Sequence, residues 1–147
     1  MPRLQVGATL HCSISAFPIQ YLGLPLSTRK VPTSALLPLV EKMAKRLGTW
    51  QACLLSRGER LALVRHVLSA MPVHPLLAMA LSPSILKLVN RLIRDFLWHG
   101  RKEALSGNCL VNWQKVCRPL ELGSLGVRDL QRTGISLQAR WLWLRII

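Results

Sequence analysis

The stretch from Ser82 to Gly100 constrains the fold most, because its apolar residues recur with the period of an α-helix. Ser82 suits the N-cap, Pro83 suits the first helical position, and Gly100 suits the position after the last turn. The apolar face between these signals contains Ile85, Leu86, Leu88, Val89, Leu92, Ile93, Phe96 and Leu97. The sequence therefore predicts a helix that buries a wide face in a core.

Two further helices are predicted upstream of this one. The first begins near Thr33 and stops near Gly48, and the second is capped by Ser56 and ends at Pro72. The apolar stripe of the first consists of Leu36, Val40, Met43, Leu47 and Trp50. That of the second consists of Leu61, Val64, Leu68 and Met71.

Downstream, the pattern predicts a short helical turn over 113–117 and a tight turn bracketed by Gly123 and Gly126. A last helix is predicted over 127–147, with a weak point at Gly134. One side of it is lined by Leu137, Trp141 and Leu144. Its apolar, uncapped end predicts that the natural chain continues beyond this sequence.

Loose alternation over 9–14 and 21–26 predicts two short strands or extended segments near the N-terminus. The predicted fold class is therefore mainly α, a helical bundle with one or two short strands. We divide the chain into an extended segment over 1–30, a three-helix region over 31–100, and a connecting segment with the start of a further helical region over 101–147.

Positive charge is spread over the whole chain instead of forming a tail. Twenty Lys and Arg face six Asp and Glu, which gives a formal net charge of +14. An even spread makes this charge a property of the folded surface, and it favours contact with a polyanion. The alternative is that these residues only keep an apolar chain in solution.

Basic residues lie off the apolar stripes of all three predicted helices, where they can meet the sugar–phosphate backbone of a nucleic acid. A solvated helix face remains the alternative. The nine candidates are Lys42, Lys45, Arg46, Arg57, Arg60, Arg65, Lys87, Arg91 and Arg94.

The five tryptophans can stack on bases, but their helical spacing favours packing in the core. They are Trp50, Trp98, Trp113, Trp141 and Trp143.

Residue types that carry catalysis are sparse. Asp95 and Asp129 are the only aspartates; we assign the first to a surface ion pair with Arg91 and the second to a helix start. No two-metal carboxylate set, nucleophile elbow or phosphate-binding glycine loop is present. Four scattered cysteines and four histidines lack zinc-like spacing. We therefore expect no catalytic residue, metal, cofactor or small-molecule substrate.

The most apolar stretch, over 67–81, contains Pro72 and Pro75 and is shorter than the roughly 20 residues that span a bilayer. The sequence therefore predicts no transmembrane helix and no membrane partner. Adsorption of a cationic amphipathic chain to anionic lipid is an alternative, which the prolines disfavour.

An ordered series of short blocks resembles plant non-LTR (LINE-type) retrotransposon polyproteins, in the region that follows the reverse transcriptase palm and leads toward a zinc-binding domain. The blocks are Tyr21–Leu26, Arg46–Leu47 with Trp50, Leu54–Ser56 running into Gly58, Arg60–Leu61 with Val64, Val67–Pro72, Phe96–Trp98 with Gly100, Leu110–Val111 with Trp113, Cys117–Pro119, Leu125–Val127 with Asp129–Leu130, and Trp141–Trp143. The resemblance covers the chain from about Phe17 onward.

The resemblance implies a thumb-like and connecting segment, which in such polymerases helps to hold the template–product duplex. The expected partners are RNA or an RNA–DNA hybrid, held weakly by charge, and the remainder of a reverse transcriptase in an intact element. The catalytic Asp-Asp pair of the family is absent, so we expect no polymerase activity. Residence in the nucleus follows only from the resemblance and the charge.

Two positions depart from the family's pattern. Ser124 replaces the second glycine of a Gly-Gly-Leu-Gly turn, which predicts strain if the backbone there needs a positive φ. Gly134 stands where Asn is common and weakens the last helix by up to about 1 kcal/mol. Both departures fit a rival hypothesis, in which the chain is a non-functional translated remnant that does not fold stably alone.

Overall fold

The structure is a computed structural model that describes residues 16–48, 54–100 and 111–146. It is mainly helical with two short antiparallel strands, which confirms the predicted fold class. The chain divides into two compact units, one ending at Leu36 and one beginning at Leu37. The predicted strand over 9–14 lies outside the described residues.

The N-terminal unit contains a β-hairpin of β1 (Ile19–Tyr21) and β2 (Leu24–Leu26), with Ile19 opposite Leu26. The segment predicted as one extended stretch is therefore two strands. Leu22 and Gly23 join them with φ of 50° and 79°, which is the conformation that two-residue hairpin turns favour.

Helix α1 spans Thr33–Arg46 and ends before Gly48, as predicted. Met43 is fully buried and Leu47 is 4% exposed, so the predicted stripe does face a core. Pro38 lies inside the helix, where it removes one backbone donor.

Helix α2 spans Arg57–Leu63 and starts with a capping box. The Ser56 hydroxyl accepts from the Glu59 N–H at 3.3 Å, and the Glu59 carboxylate accepts from the Ser56 N–H at 2.7 Å. The predicted start is confirmed, but the predicted end is not. The backbone continues as a π-helical turn over Val64–Leu68, where the Val64 carbonyl accepts from both the N–H and the hydroxyl of Ser69.

Helix α3, Val73–Ala78, was not predicted, because Pro72 and Pro75 indicated a break. Both prolines fit here, since the first four backbone N–H groups of a helix have no partner within it. Pro72 is the N-cap, and Pro75 lies in the first turn.

Helix α4 spans Pro83–His99, and its start and end follow the prediction. The Ser82 hydroxyl accepts from the Ile85 N–H at 3.4 Å, and Gly100 follows the helix with φ 65°. The centre of the core lies on this helix, which contacts α2 and the π-helical turn. Its most buried apolar residues are Ile85, Val89, Leu92, Ile93, Phe96 and Leu97.

The C-terminal part consists of helix α5 (Trp113–Val116), a 3-10 turn over Leu120–Leu122, and helix α6 (Leu130–Ile146). Asn112 caps α5 by accepting from the Gln114 N–H at 2.9 Å. Gly123 and Gly126 have φ of 70° and 61°, so the predicted tight turn is present.

Helix α6 contacts α3 closely, and Gly134 makes that approach possible. A Cβ at Gly134 would lie 2.9 Å from Cδ2 of the buried Leu76. Further along, the side chains of Gln138 and Trp141 donate to the carbonyls of Leu76 and Leu77 at 3.4 and 3.1 Å. Gly134 is thus a packing residue, and our interpretation of it as only a weak point was wrong.

By length and composition alone, the helical stretch Arg57–Ala78 is one that could cross a membrane. The core helix of a soluble protein passes the same test. In this structure Val64, Leu68 and Leu76 within the stretch are buried by neighbouring protein. The expected absence of a membrane-spanning helix therefore stays a prediction, as does the three-part division of the chain.

Candidate nucleic-acid interface

The nine predicted basic residues all lie on helices, but they differ in accessibility. Six are exposed: Lys42, Lys45, Arg46, Arg57, Lys87 and Arg91. Arg60, Arg65 and Arg94 are half-buried. Arg60 Nε donates to the Leu55 carbonyl at 3.1 Å, and Arg65 lies in the π-helical turn. Around α4, basic residues lie beside a tryptophan ring and polar side chains.

Lys87 and Arg91 lie one turn apart on the exposed side of α4, as their i, i+4 spacing requires. The helix has one acidic residue, Asp95, and it is only 5% exposed. Arg91 Nε lies 4.0 Å from Asp95 Oδ2, at the limit of an ion pair. The predicted partner of Asp95 is therefore confirmed, but the surface location was wrong, because the Asp95 carboxyl is buried while Arg91 is exposed.

Burial raises the pKa of the Asp95 carboxyl, since a charged form is disfavoured away from water. The positive charges of Arg91, His99 and Arg94 oppose this shift only in part. The exposed side of α4 therefore presents Lys87 and Arg91, while the acid of this helix is buried.

Arg94 lies against the tryptophan that opens α5. Its guanidinium carbon is 5.3 Å from the centroid of the Trp113 ring, within the range of a cation–π interaction. Arg94 Nε is buried and has no hydrogen-bond partner among the described residues. Arg94 therefore links α4 to α5, and its guanidinium is less open to phosphate than the sequence predicted.

Two depressions border Trp113. The first, which we call the Lys87 pocket, has a volume of about 240 Å³ and is lined by Pro83, Leu86, Lys87, Asn90, Trp113, Gln114, Cys117, Asp129 and Gln131. The second contains Arg94, Val111 and Asn112 together with Trp113 and Gln114. Trp113 and Gln114 thus separate a pocket that includes Lys87 from a depression that includes Arg94.

Asp129 and Cys117 offer no catalytic chemistry in this arrangement. Asp129 Oδ1 accepts from the N–H groups of Gln131 and Arg132 at 3.0 and 3.3 Å, so it caps α6. Burial, followed by the Asp129 charge, raises the pKa of the Cys117 thiol to about 11. The thiol is therefore protonated at neutral pH and is a weak nucleophile.

The tryptophans are less buried than their helical spacing predicted. Trp141 and Trp143 are 57% and 65% exposed, while Trp98 and Trp113 are half-buried. The prediction of core packing was therefore wrong for the two residues of α6. Trp50 lies outside the described residues.

Sequence reasoning missed the polar lining of the Lys87 pocket. Asn90 follows Lys87 by three residues, so the helical period could have placed it beside the basic stripe. No local signal marks Gln114 or Gln131, which reach the pocket from α5 and α6. Within the described ranges, no group of three or more His, Cys, Asp or Glu side chains could hold a metal ion.

The chain is similar to a protein of Arabidopsis thaliana named "Putative ribonuclease H protein", with 33% identity over 120 residues. The match covers 82% of this chain but only 19% of the relative, so the chain spans about a fifth of that protein's length. No family profile and no solved structure matches the chain. The relative is named as a ribonuclease H protein and not as a reverse transcriptase.

Proposed function

We propose that this chain is a retroelement-derived segment, of the LINE-type reverse transcriptase kind, that binds RNA or an RNA–DNA hybrid through the sugar–phosphate backbone. Two findings support the origin: the ordered blocks of sequence, and the similarity to a plant protein whose name places it among enzymes acting on RNA. In an intact element the segment would work beside the rest of the polymerase.

The exposed side of α4 carries the binding proposal. Lys87 and Arg91 are exposed there one turn apart, and Asp95, the acid of this helix, is buried. Helix α5 adds the exposed Lys115, two residues after Trp113. Cations of this kind displace the counterions of a nucleic acid without reading its sequence. We therefore propose weak, salt-sensitive binding with little sequence preference.

We also propose that the chain has no catalytic activity of its own. Two of its acids are already committed in the structure, since Asp95 is buried and Asp129 caps a helix. Glu59 closes the capping box of α2. Phosphoryl transfer with two metal ions needs free carboxylates close together, and these three have other roles.

The test is fluorescence anisotropy of a labelled RNA–DNA hybrid with the purified chain across a salt series. The logarithm of affinity should fall linearly with the logarithm of salt concentration. In a Lys87→Gln/Arg91→Gln variant, the magnitude of that slope should fall by up to about 2, one for each phosphate contact removed.

A charge-matched control separates a local interface from overall charge. Arg140→Gln/Arg145→Gln removes two exposed cations from α6 and should leave the slope nearly unchanged. Equal losses in both variants would show diffuse electrostatic attraction and contradict the α4 interface. A soluble monomer that binds nothing at low salt would contradict nucleic-acid binding altogether.

Exposed apolar side chains on α6 support the rival hypothesis, in which the chain is a remnant that does not fold stably alone. Leu142, Leu144 and Ile146 near the end of α6 are 64%, 56% and 80% exposed, and clusters of exposed apolar side chains promote aggregation. Sedimentation of the unmodified chain, together with thermal unfolding by circular dichroism, decides between them. Aggregates without a cooperative transition would favour the remnant.

A further inference from the structure

We propose that the Lys87 pocket binds one unstacked nucleobase of a single-stranded segment, with Trp113 as the stacking surface. This inference rests on the proposed function and extends it, because the proposed backbone contacts do not involve the bases. It assigns to this chain a preference for single strands with at least one flipped-out base.

The size of the pocket suits a base. Its volume of about 240 Å³ lies below the range of about 300–1,000 Å³ that holds drug-sized ligands, so a single planar ring fits better than a larger molecule. Leu86 and Pro83 supply apolar contact in the lining. A duplex cannot present a base to such a depression without unpairing it.

Trp113 is held in place for stacking. Arg94 borders the second depression but not the Lys87 pocket, so its guanidinium does not occupy that pocket. The cation–π contact therefore restrains the ring while leaving it as a wall of the pocket. Base–aromatic stacking tolerates any sequence, because every base has a π face.

Three amide side chains line the pocket. Gln114 and Gln131 are exposed, whereas Asn90 Oδ1 is buried. The two glutamine amides are therefore the groups that an incoming base can reach for hydrogen bonding. Nucleobases offer N–H donors on their Watson–Crick edges, and amide side chains pair with those edges.

The charges favour a base inside the pocket and its phosphate outside. Asp129 lines the pocket and caps α6, with Arg132 Nε 3.5 Å from its Oδ2, and its carboxylate disfavours an anion in the interior. Lys87 is exposed, as is Arg91 one turn further along α4. A nucleotide would therefore insert its base and leave the phosphate to these cations.

The test uses the full chain, a single-stranded RNA with one 2-aminopurine, and the labelled RNA–DNA hybrid of the previous experiment. Stacking on Trp113 should quench 2-aminopurine fluorescence on binding. Trp113→Leu should abolish the quench and weaken single-strand binding by about 5- to 150-fold, the range expected for losing one stacked base. Affinity for the hybrid should change little.

Trp143→Leu is the matched control, because Trp143 is an exposed tryptophan on another helix, and it should keep the quench. Asn90→Ala is the second pocket variant, since alanine favours the helix and should preserve folding. It should also weaken single-strand binding selectively.

The outcomes separate the two proposals. Hybrid binding that survives, with Trp113→Leu and Asn90→Ala binding the single strand as tightly as the unmodified chain, would overturn the base pocket and leave the proposed function standing. A chain that binds neither probe at low salt would overturn both. Selective loss of single-strand binding in both pocket variants supports the pocket.

Discussion

The guanidinium carbon of Arg94 lies 5.3 Å from the ring centroid of Trp113, and this contact joins the core helix α4 to the short helix α5. A four-residue helix has too few internal hydrogen bonds to be stable by itself, so α5 depends on such contacts for its position. Trp113 also lines the Lys87 pocket. One pair of residues therefore connects the fold with the proposed interface.

Replacing Arg94 with Gln should lower the free energy of unfolding by about 0.5–2 kcal/mol, the range of a cation–π contact from exposed to desolvated sites. A double-mutant cycle with Trp113→Leu, measured by urea unfolding, isolates the pair. We expect a coupling energy of at least about 0.5 kcal/mol. Strictly additive losses would show that the two residues act independently.

The sequence predicted α4 well because local and tertiary signals agree there. Ser82, Pro83 and Gly100 fix its ends, and a wide apolar face directs it into the core. The start of α2 was predictable for the same reason, since its capping box is a local motif. Lys87 and Arg91 could likewise be placed on its exposed side from their spacing, whereas Arg94 is half-buried against Trp113.

Other features depend on contacts that no local pattern encodes. The Lys87 pocket combines side chains from α4, α5 and α6. Asp95 is buried by tertiary packing, although its basic neighbours in the sequence indicated a surface position. Helix α3 was not predicted because it contains prolines, but these lie at its N-cap and in its first turn, where a missing backbone N–H costs no hydrogen bond within the helix. Periodicity also misjudged α6, where apolar side chains recur but the second half of the helix is exposed.

Gly134 and Gly58 should respond differently to replacement by alanine. At Gly58 a Cβ meets nothing within 4 Å, so Gly58→Ala should stabilise α2 by up to about 1 kcal/mol. At Gly134 the same gain requires Leu76 to move, because the new Cβ would lie 2.9 Å from its Cδ2. We therefore expect Gly134→Ala to give no stabilisation in thermal unfolding. A gain equal to that of Gly58→Ala would contradict the close packing of α3 and α6.

Ser124 should prove stabilising and not strained. Its hydroxyl contacts the carbonyls of Lys115 and Val116 at the end of α5, the latter at 3.0 Å, and the positive φ values of this turn belong to Gly123 and Gly126. The condition under which strain was predicted at Ser124, a positive φ, is therefore not met. Replacement by Gly should lower the free energy of unfolding by about 1 kcal/mol, through the lost hydrogen bond and greater backbone freedom. Increased stability of Ser124→Gly in urea would restore the strain hypothesis.

At neutral pH the protein with Asp95 should be less stable than the Asp95→Asn variant. Because burial raises the pKa of its carboxyl, the folded state binds a proton more readily than the unfolded state. The cost of the ionised form is thus present above the folded pKa and disappears below the unfolded value of about 4. Asp95→Asn should raise the melting temperature at pH 7, and the difference should vanish toward pH 3.

Glu59→Gln is the control, for which the change in melting temperature should have the opposite sign. The Ser56 backbone N–H lowers the pKa of Glu59, so its contribution is present at neutral pH and is lost on acidification. A melting temperature of Asp95→Asn below that of the unmodified chain at pH 7 would show that its attraction to Arg91 outweighs its burial.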